Sequence, residues 1–132
     1  MWLNKMKERF SKGYKEDAGV DIILNQDIKL YGKQIDSFNL GVCITPKKNH
    51  MAIIAPRSSY AKKGLLICNC PIDANYTGDV HAIVANCGNE TIEVKKGESF
   101  CQVIFVKIRT IKNVKIRKPG KRKDGNFGST GG

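Results

Sequence analysis

The sequence predicts a single all-β domain of the sandwich, barrel or jelly-roll type. Three observations carry this expectation. Short runs rich in β-branched and aromatic residues recur through the middle of the chain, as in Val103-Ile104-Phe105-Val106. Clusters of Gly, Asn and Asp punctuate them. The length of 132 residues, with 41% hydrophobic and 27% charged residues, suits one globular domain and excludes wholesale disorder.

Residues 2–10 read as a loose amphipathic turn, and 20–24 form an apolar run of strand type. Pro56 ends the strand before it. Residues 58–63 read as one helical turn, with Ser58 as the N-cap and Gly64 as the stop. Residues 79–85 alternate or are continuously apolar, 91–95 alternate with period two, and 100–108 are rich in β-formers. Turns are expected at Tyr76-Thr77-Gly78-Asp79, Asn86-Cys87-Gly88-Asn89 and Lys95-Lys96-Gly97-Glu98. Ile and Val alternating with basic residues suggest a last strand as far as 116. This places a body at 1–116 and a glycine-rich arm at 117–132, with too little apolar surface to order itself.

The net charge of +11 invites a nucleic-acid reading, but its distribution matters more than its size. Residues 107–132 carry nine basic groups and one acidic group, whereas 18–106 carry nine and eight. Aromatic residues are not interleaved with the basic cluster as stacking platforms would be, so only weak, nonspecific nucleic-acid binding is expected. No apolar stretch is long enough for a membrane span and no secretory signal is visible, which suggests a cytoplasmic setting. The five cysteines lack zinc spacing and read as reduced, small core or strand residues.

Four clusters suit chemistry. In Ala18-Gly19-Val20-Asp21-Ile22, Asp21 is either a turn carboxylate or a holder of metal-bound water. Arg57, Ser58 and Ser59 stand at the mouth of the helical turn, where N–H groups, hydroxyls and a guanidinium suit phosphate oxygens; the alternative is a capped helix with a surface arginine. In Ile72-Asp73-Ala74-Asn75-Tyr76, Asp73 reads as a partly buried carboxylate able to deprotonate water, and Tyr76 as a platform for a sugar or base; an ordinary Asx-turn is the alternative. The strip Gly125-Asn126-Phe127-Gly128-Ser129-Thr130, preceded by Arg122, suits an anion and a planar ring, or is a plain flexible tail.

Together, and in this order, these clusters and Gly97-Glu98-Ser99-Phe100-Cys101-Gln102 resemble the motifs of the dUTPase family. The resemblance implies a jelly-roll-like (β-clip) fold with one short helix and a mobile C-terminal arm. It implies a homotrimer with shared active sites that hydrolyses dUTP to dUMP and pyrophosphate with Mg2+, in the cytoplasm of a bacterium or a virus-infected host cell. Carried over by position, Asp73 is the base that activates water on the α-phosphate, and Tyr76 packs under the deoxyribose. Arg57, Ser58, Ser59 and Gln102 contact phosphates, and Asp21 holds the metal through water. Asn69 and the backbone near Ile72 read the uracil edge. Phe127 stacks on uracil, while Arg122, Gly128, Ser129 and Thr130 grip the outer phosphates, the arm closing over a neighbour's site. The competing readings are a dCTP deaminase, alone or coupled to dUTP hydrolysis, and a nucleic-acid-binding or regulatory module that uses the basic tail.

Overall fold

The computed structural model describes residues 2–3, 7–111 and 119–120. It is all-β apart from single helical turns. The strands are β1 (Trp2–Leu3), β2 (Phe10–Ser11), β3 (Gly19–Ile22), β4 (Ile28–Leu30), β5 (Ile35–Asn39) and β6 (Ile44–Thr45). They continue with β7 (His50–Pro56), β8 (Leu65–Ile67), β9 (His81–Asn86), β10 (Ile92–Val94) and β11 (Cys101–Lys107). A 3-10 turn covers Lys7–Arg9, and helix α1 covers Ser58–Ala61. No helix among the described residues is long and apolar enough to cross a membrane.

Four sheets close around one core. Their strand orders are β2-β3-β11-β7, β5-β9-β8, β10-β4 and β1-β6, and every pair is antiparallel. Alternation decides which face each strand buries. On β11, Cys101 and Val103 point into the core beside Ile22 and Ile54, and Gln102 and Ile104 point away. On β10, Ile92 and Val94 are buried opposite Leu30 and Ile28, while Glu93 meets Lys29 across the strands at 3.2 Å. Phe100, Leu40, Leu65 and Val84 fill the centre.

The strands expected from the sequence are present with shifted ends. The 20–24 run is strand only over Gly19–Ile22, because Ile23 and Leu24 leave the ladder to donate to Arg9 O (2.7 Å) and Glu98 O (2.8 Å). The 79–85 strand begins at His81 and takes in Asn86, which had read as a turn residue. The 91–95 and 100–108 runs contract to Ile92–Val94 and Cys101–Lys107. In place of an amphipathic turn, the described residues of this stretch form β1, the 3-10 turn at Lys7–Arg9 and the start of β2. The helical turn ends early, at Ala61, and its N-cap is Arg57 in extended conformation instead of Ser58. Gly64 does stop it, at φ +97, where a side chain would be strained. The strand expected to reach 116 stops at Lys107, and residues 108–111 are not strand; residues 112–116 and almost all of the 117–132 arm lie outside the described residues.

Two buried polar side chains fasten the sheets. The Asn86 amide donates to Leu30 O (3.0 Å) and Glu90 O (2.7 Å), and its oxygen accepts from Gly88 N (3.0 Å). It thus builds the β9–β10 turn and ties it to β4. Asn86→Ala removes all three bonds inside the protein and is expected to cost about 2 kcal/mol or more. Thermal denaturation checks this, and a Tm equal to the parent's would refute it. Arg9 is the second fastener, buried at 6% exposure, with its guanidinium facing main-chain carbonyls on either side of it.

Candidate active site

Antiparallel register sets four residues in one row. Ser11 lies opposite Asp21, Asp21 opposite Gln102, and Gln102 opposite Ala55. Because the neighbouring row (Val20, Val103, Ile54) faces the core, this one faces outward. Strand β7 ends at Pro56, which delivers Arg57 to the end of the row. The Arg57 Nε stands 3.4 Å from Asp21 Oδ2, its Nη1 donates to Ser99 O (3.4 Å) and its N–H to Phe100 O (2.8 Å). The pair is partly open to solvent, so it serves to aim the guanidinium more than to stabilise the fold.

Gly19 shapes the same floor. A Cβ there would collide with the Gln102 side chain, so only glycine lets that amide lie across β3. The Gln102 Nε2 also donates to Pro56 O (3.3 Å). Around these groups opens a polar cavity of about 330 Å3, whose wall includes Ser11, Gly19, Asp21, Arg57, Ser58 and Gln102. No side chain caps the first turn of α1, whose first residue, Ser58, lines this cavity. Beneath it, burial and then the Glu98 carboxylate push the Tyr60 hydroxyl above its usual range, so it stays neutral.

A second cavity, of about 250 Å3, is mainly apolar. Ile54, Ile67, Ile72, Val80 and Ile83 supply its walls, and Tyr76, Cys68, Cys70 and His81 its more polar rim. Tyr76 is held firmly: its hydroxyl donates to Asp79 O (2.6 Å), its N–H to Asp73 O (3.1 Å), and its carbonyl accepts from the Thr45 hydroxyl (2.7 Å).

The structure brings together Asp21, Arg57, Ser58 and Gln102 in the polar cavity, and Ile72 and Tyr76 in the apolar one. Ser59, Asn69 and Asp73 are exposed and line neither. Asp73 is therefore not the partly buried carboxylate the sequence suggested. In the isolated protomer it stands in solvent, beyond the wall that Ile72 makes. Ile72 contributes a side chain instead of a hydrogen-bonding edge, since its N–H and C=O are both bonded to Ala52 (2.8 and 3.0 Å). Arg122, Phe127, Gly128, Ser129 and Thr130 lie outside the described residues. Ser11 and Asp17, which also line the polar cavity, were missed: strand pairing sets Ser11 opposite Asp21, and Asp17 reaches the cavity from the turn it closes with Tyr14 just before β3. Ala18 and Gly19, in the Asp21 cluster, were the legible neighbours. The cysteines correct an expectation: Cys101 is buried, but Cys68, Cys70 and Cys87 are exposed.

The chain is similar to known proteins over most of its length. The dUTPase family matches residues 5–131 of the chain. The deoxyuridine 5'-triphosphate nucleotidohydrolase of Clostridium tetani is 34% identical over 124 residues, covering 89% of this chain and 85% of that protein. The enzyme of the same name from Rickettsia akari is 33% identical over 139 residues, covering 96% and 94%. Among solved structures, the native EIAV dUTPase superimposes with a TM-score of 0.74 at 28% identity, over 92% of this chain and 96% of that one. The S. aureus phage phi11 dUTPase, at 18% identity, shares the fold with a TM-score of 0.76, covering 89% and 96%. Matched over nearly its whole length in sequence and in fold, the chain belongs to the dUTPase family of nucleotide hydrolases.

Proposed function

We propose that the protein hydrolyses dUTP to dUMP and pyrophosphate, working as a homotrimer in which neighbouring protomers complete each active site. The observation that carries this reading is the division of the site between two faces. The polar cavity belongs to the outward row of the β3–β11–β7 sheet, whereas Ile54, in the apolar cavity, belongs to its core-facing row. One cavity suits a triphosphate and the other a base and sugar, and a single nucleotide cannot pass through the sheet between them. A second protomer supplies the missing half. An apolar strip on the outward face, with Ile104 opposite Ile53 and Val106 opposite Met51, offers the surface through which protomers associate.

Within that site Arg57, Ser58, Ser59 and Gln102 hold phosphate oxygens, and a guanidinium fork is the best match for them. Tyr76 packs against the deoxyribose, Asn69 and the strap around Ile72 face the uracil edge, and an Asp73 Oδ accepts the proton of the water that attacks the α-phosphate. The arm brings Phe127 onto the uracil of a neighbouring site, with Arg122, Gly128, Ser129 and Thr130 on the outer phosphates, and excludes water as it closes. Among the described residues no three His, Cys, Asp or Glu side chains converge on one point. This donor set would fit Mg2+ held largely by the substrate's phosphates, with Asp21 holding it through water. The bound ion supplies neutralisation of phosphate charge. Hydrolysis of this kind keeps uracil out of DNA and yields dUMP for thymidylate synthesis.

Pyrophosphate release measured with dUTP, dCTP, dTTP and UTP in the presence of Mg2+ tests the proposal. Turnover of dUTP is expected to exceed that of each other nucleotide by at least about 100-fold, because a wrong base edge leaves buried polar groups unpaired. Comparable rates for all four, or ammonia release from dCTP, would overturn it.

A further inference from the structure

The five thiols occupy unlike environments. Cys101 is buried, and burial together with the Asp21 carboxylate pushes its thiol up to about 12. Cys43 is half-buried, with its sulfur 3.9 Å from the Thr45 hydroxyl. Cys87 is exposed in a shallow depression beside Lys33 and Ala85. Cys68 and Cys70 alone combine exposure with a place in the wall of the apolar cavity.

The chain between them is a short strap tied at both ends. Cys68 N–H donates to Ile83 O (2.9 Å) at one end, and Ile72 exchanges two hydrogen bonds with Ala52 at the other. Both anchors belong to residues in or beside the cavity wall. The strap is therefore held at both ends, and a group attached to either sulfur starts from the lining of the cavity.

We infer that Cys68 and Cys70 form a thiol modification site at which small disulfides block the apolar cavity. The thiolate of either cysteine attacks one sulfur of a small disulfide such as oxidised glutathione. A protein–glutathione S–S bond forms, the original S–S bond breaks, and the departing glutathione thiolate carries away the electron pair and is protonated by water. The attached tripeptide is too large for a cavity of about 250 Å3, so it also fills the entrance. Loss of turnover on modification rests on the base-binding role proposed for this cavity; formation of the adduct does not.

The full-length protein, first reduced, is treated with oxidised glutathione with and without saturating dUMP. Adducts are located by peptide mass mapping, and dUTP turnover is followed in parallel. Adducts at Cys68 or Cys70 are expected to form at least tenfold more slowly with dUMP, while the Cys87 adduct rate stays the same. Turnover should fall in proportion to strap modification and return on reduction with dithiothreitol. A protein carrying Cys68→Ser and Cys70→Ser, compared with its own untreated rate, should lose this sensitivity, and Cys87→Ser should keep it. Absence of strap adducts, or equal inhibition of the double variant, overturns the inference and leaves the base-binding role intact. Strap adducts that leave turnover untouched overturn the blocking of the cavity, whereas adducts that form equally fast with dUMP remove the base-binding role.

Discussion

Asp73→Asn should lower dUTP turnover by roughly 100- to 10,000-fold, the range typical of losing a general base, while nucleotide binding stays within a few-fold of the parent. The two effects are expected to separate. The backbone at this position is fixed by groups the substitution does not touch: Ile72 is bonded twice to Ala52, and Asp73 O accepts the Tyr76 N–H. Asparagine keeps the shape and can still hold a water, but its amide cannot take a proton from it. Tyr76 and the apolar cavity remain in place, so affinity is preserved. Steady-state pyrophosphate release and calorimetric titration with a non-hydrolysable dUTP analogue make the comparison. Turnover close to the parent's would remove Asp73 as the base.

The largest effect on stability is expected at Arg9. Its Nε donates to Ile23 O (2.7 Å), Nη2 to Leu40 O (2.6 Å) and Nη1 to Gly41 O (3.3 Å). The main chain of Arg9 adds a bond of its own, accepting from Ile23 N–H at 2.7 Å. One guanidinium thus joins the end of β3 to the loop after β5. Arg9→Ala leaves the carbonyls without their donors and opens a space behind them. A loss of about 3 kcal/mol is expected, near 10 °C in Tm for a domain of this size. Arg9→Lys should recover only part of it, because an ammonium cannot span a fork of separated acceptors. Urea unfolding followed by circular dichroism checks both variants; if Arg9→Ala unfolds at the parent's midpoint, the bonds are not what joins the sheets.

Arg9 also marks where reading the sequence stops. In Lys7-Glu8-Arg9 it looks like any solvated charge, because the three carbonyls it meets lie 14 to 32 residues away. Strands β9, β10 and β11 were legible because each is an alternating or apolar run bounded by turn residues. Strand β6 spans two residues, too few for any period to show, and the three-residue β4 and β8 were not singled out. Strand β5 is mostly exposed, so its pattern carries little apolar contrast. Of the polar cavity's residues, Ser11 and Asp17 were not legible, whereas Asp21, Arg57, Ser58 and Gln102 were individually legible through their motifs. Their meeting was not, since it depends on which strands pair. Cys68 and Cys70 misled for the opposite reason: a small thiol usually packs inside, and only the course of the strap places these two at a surface.

The row that joins Ser11, Asp21 and Gln102 alternates, residue by residue, with the row that packs the core. Slipping β3 by one position against its neighbours would send Val20 and Ile22 toward solvent and draw Asp21 inward. The pairing that seals the interior is thus the same pairing that lines the polar cavity. An insertion or deletion in these strands cannot spoil one and spare the other, so a lineage that keeps a folded protein keeps the geometry of this cavity as well.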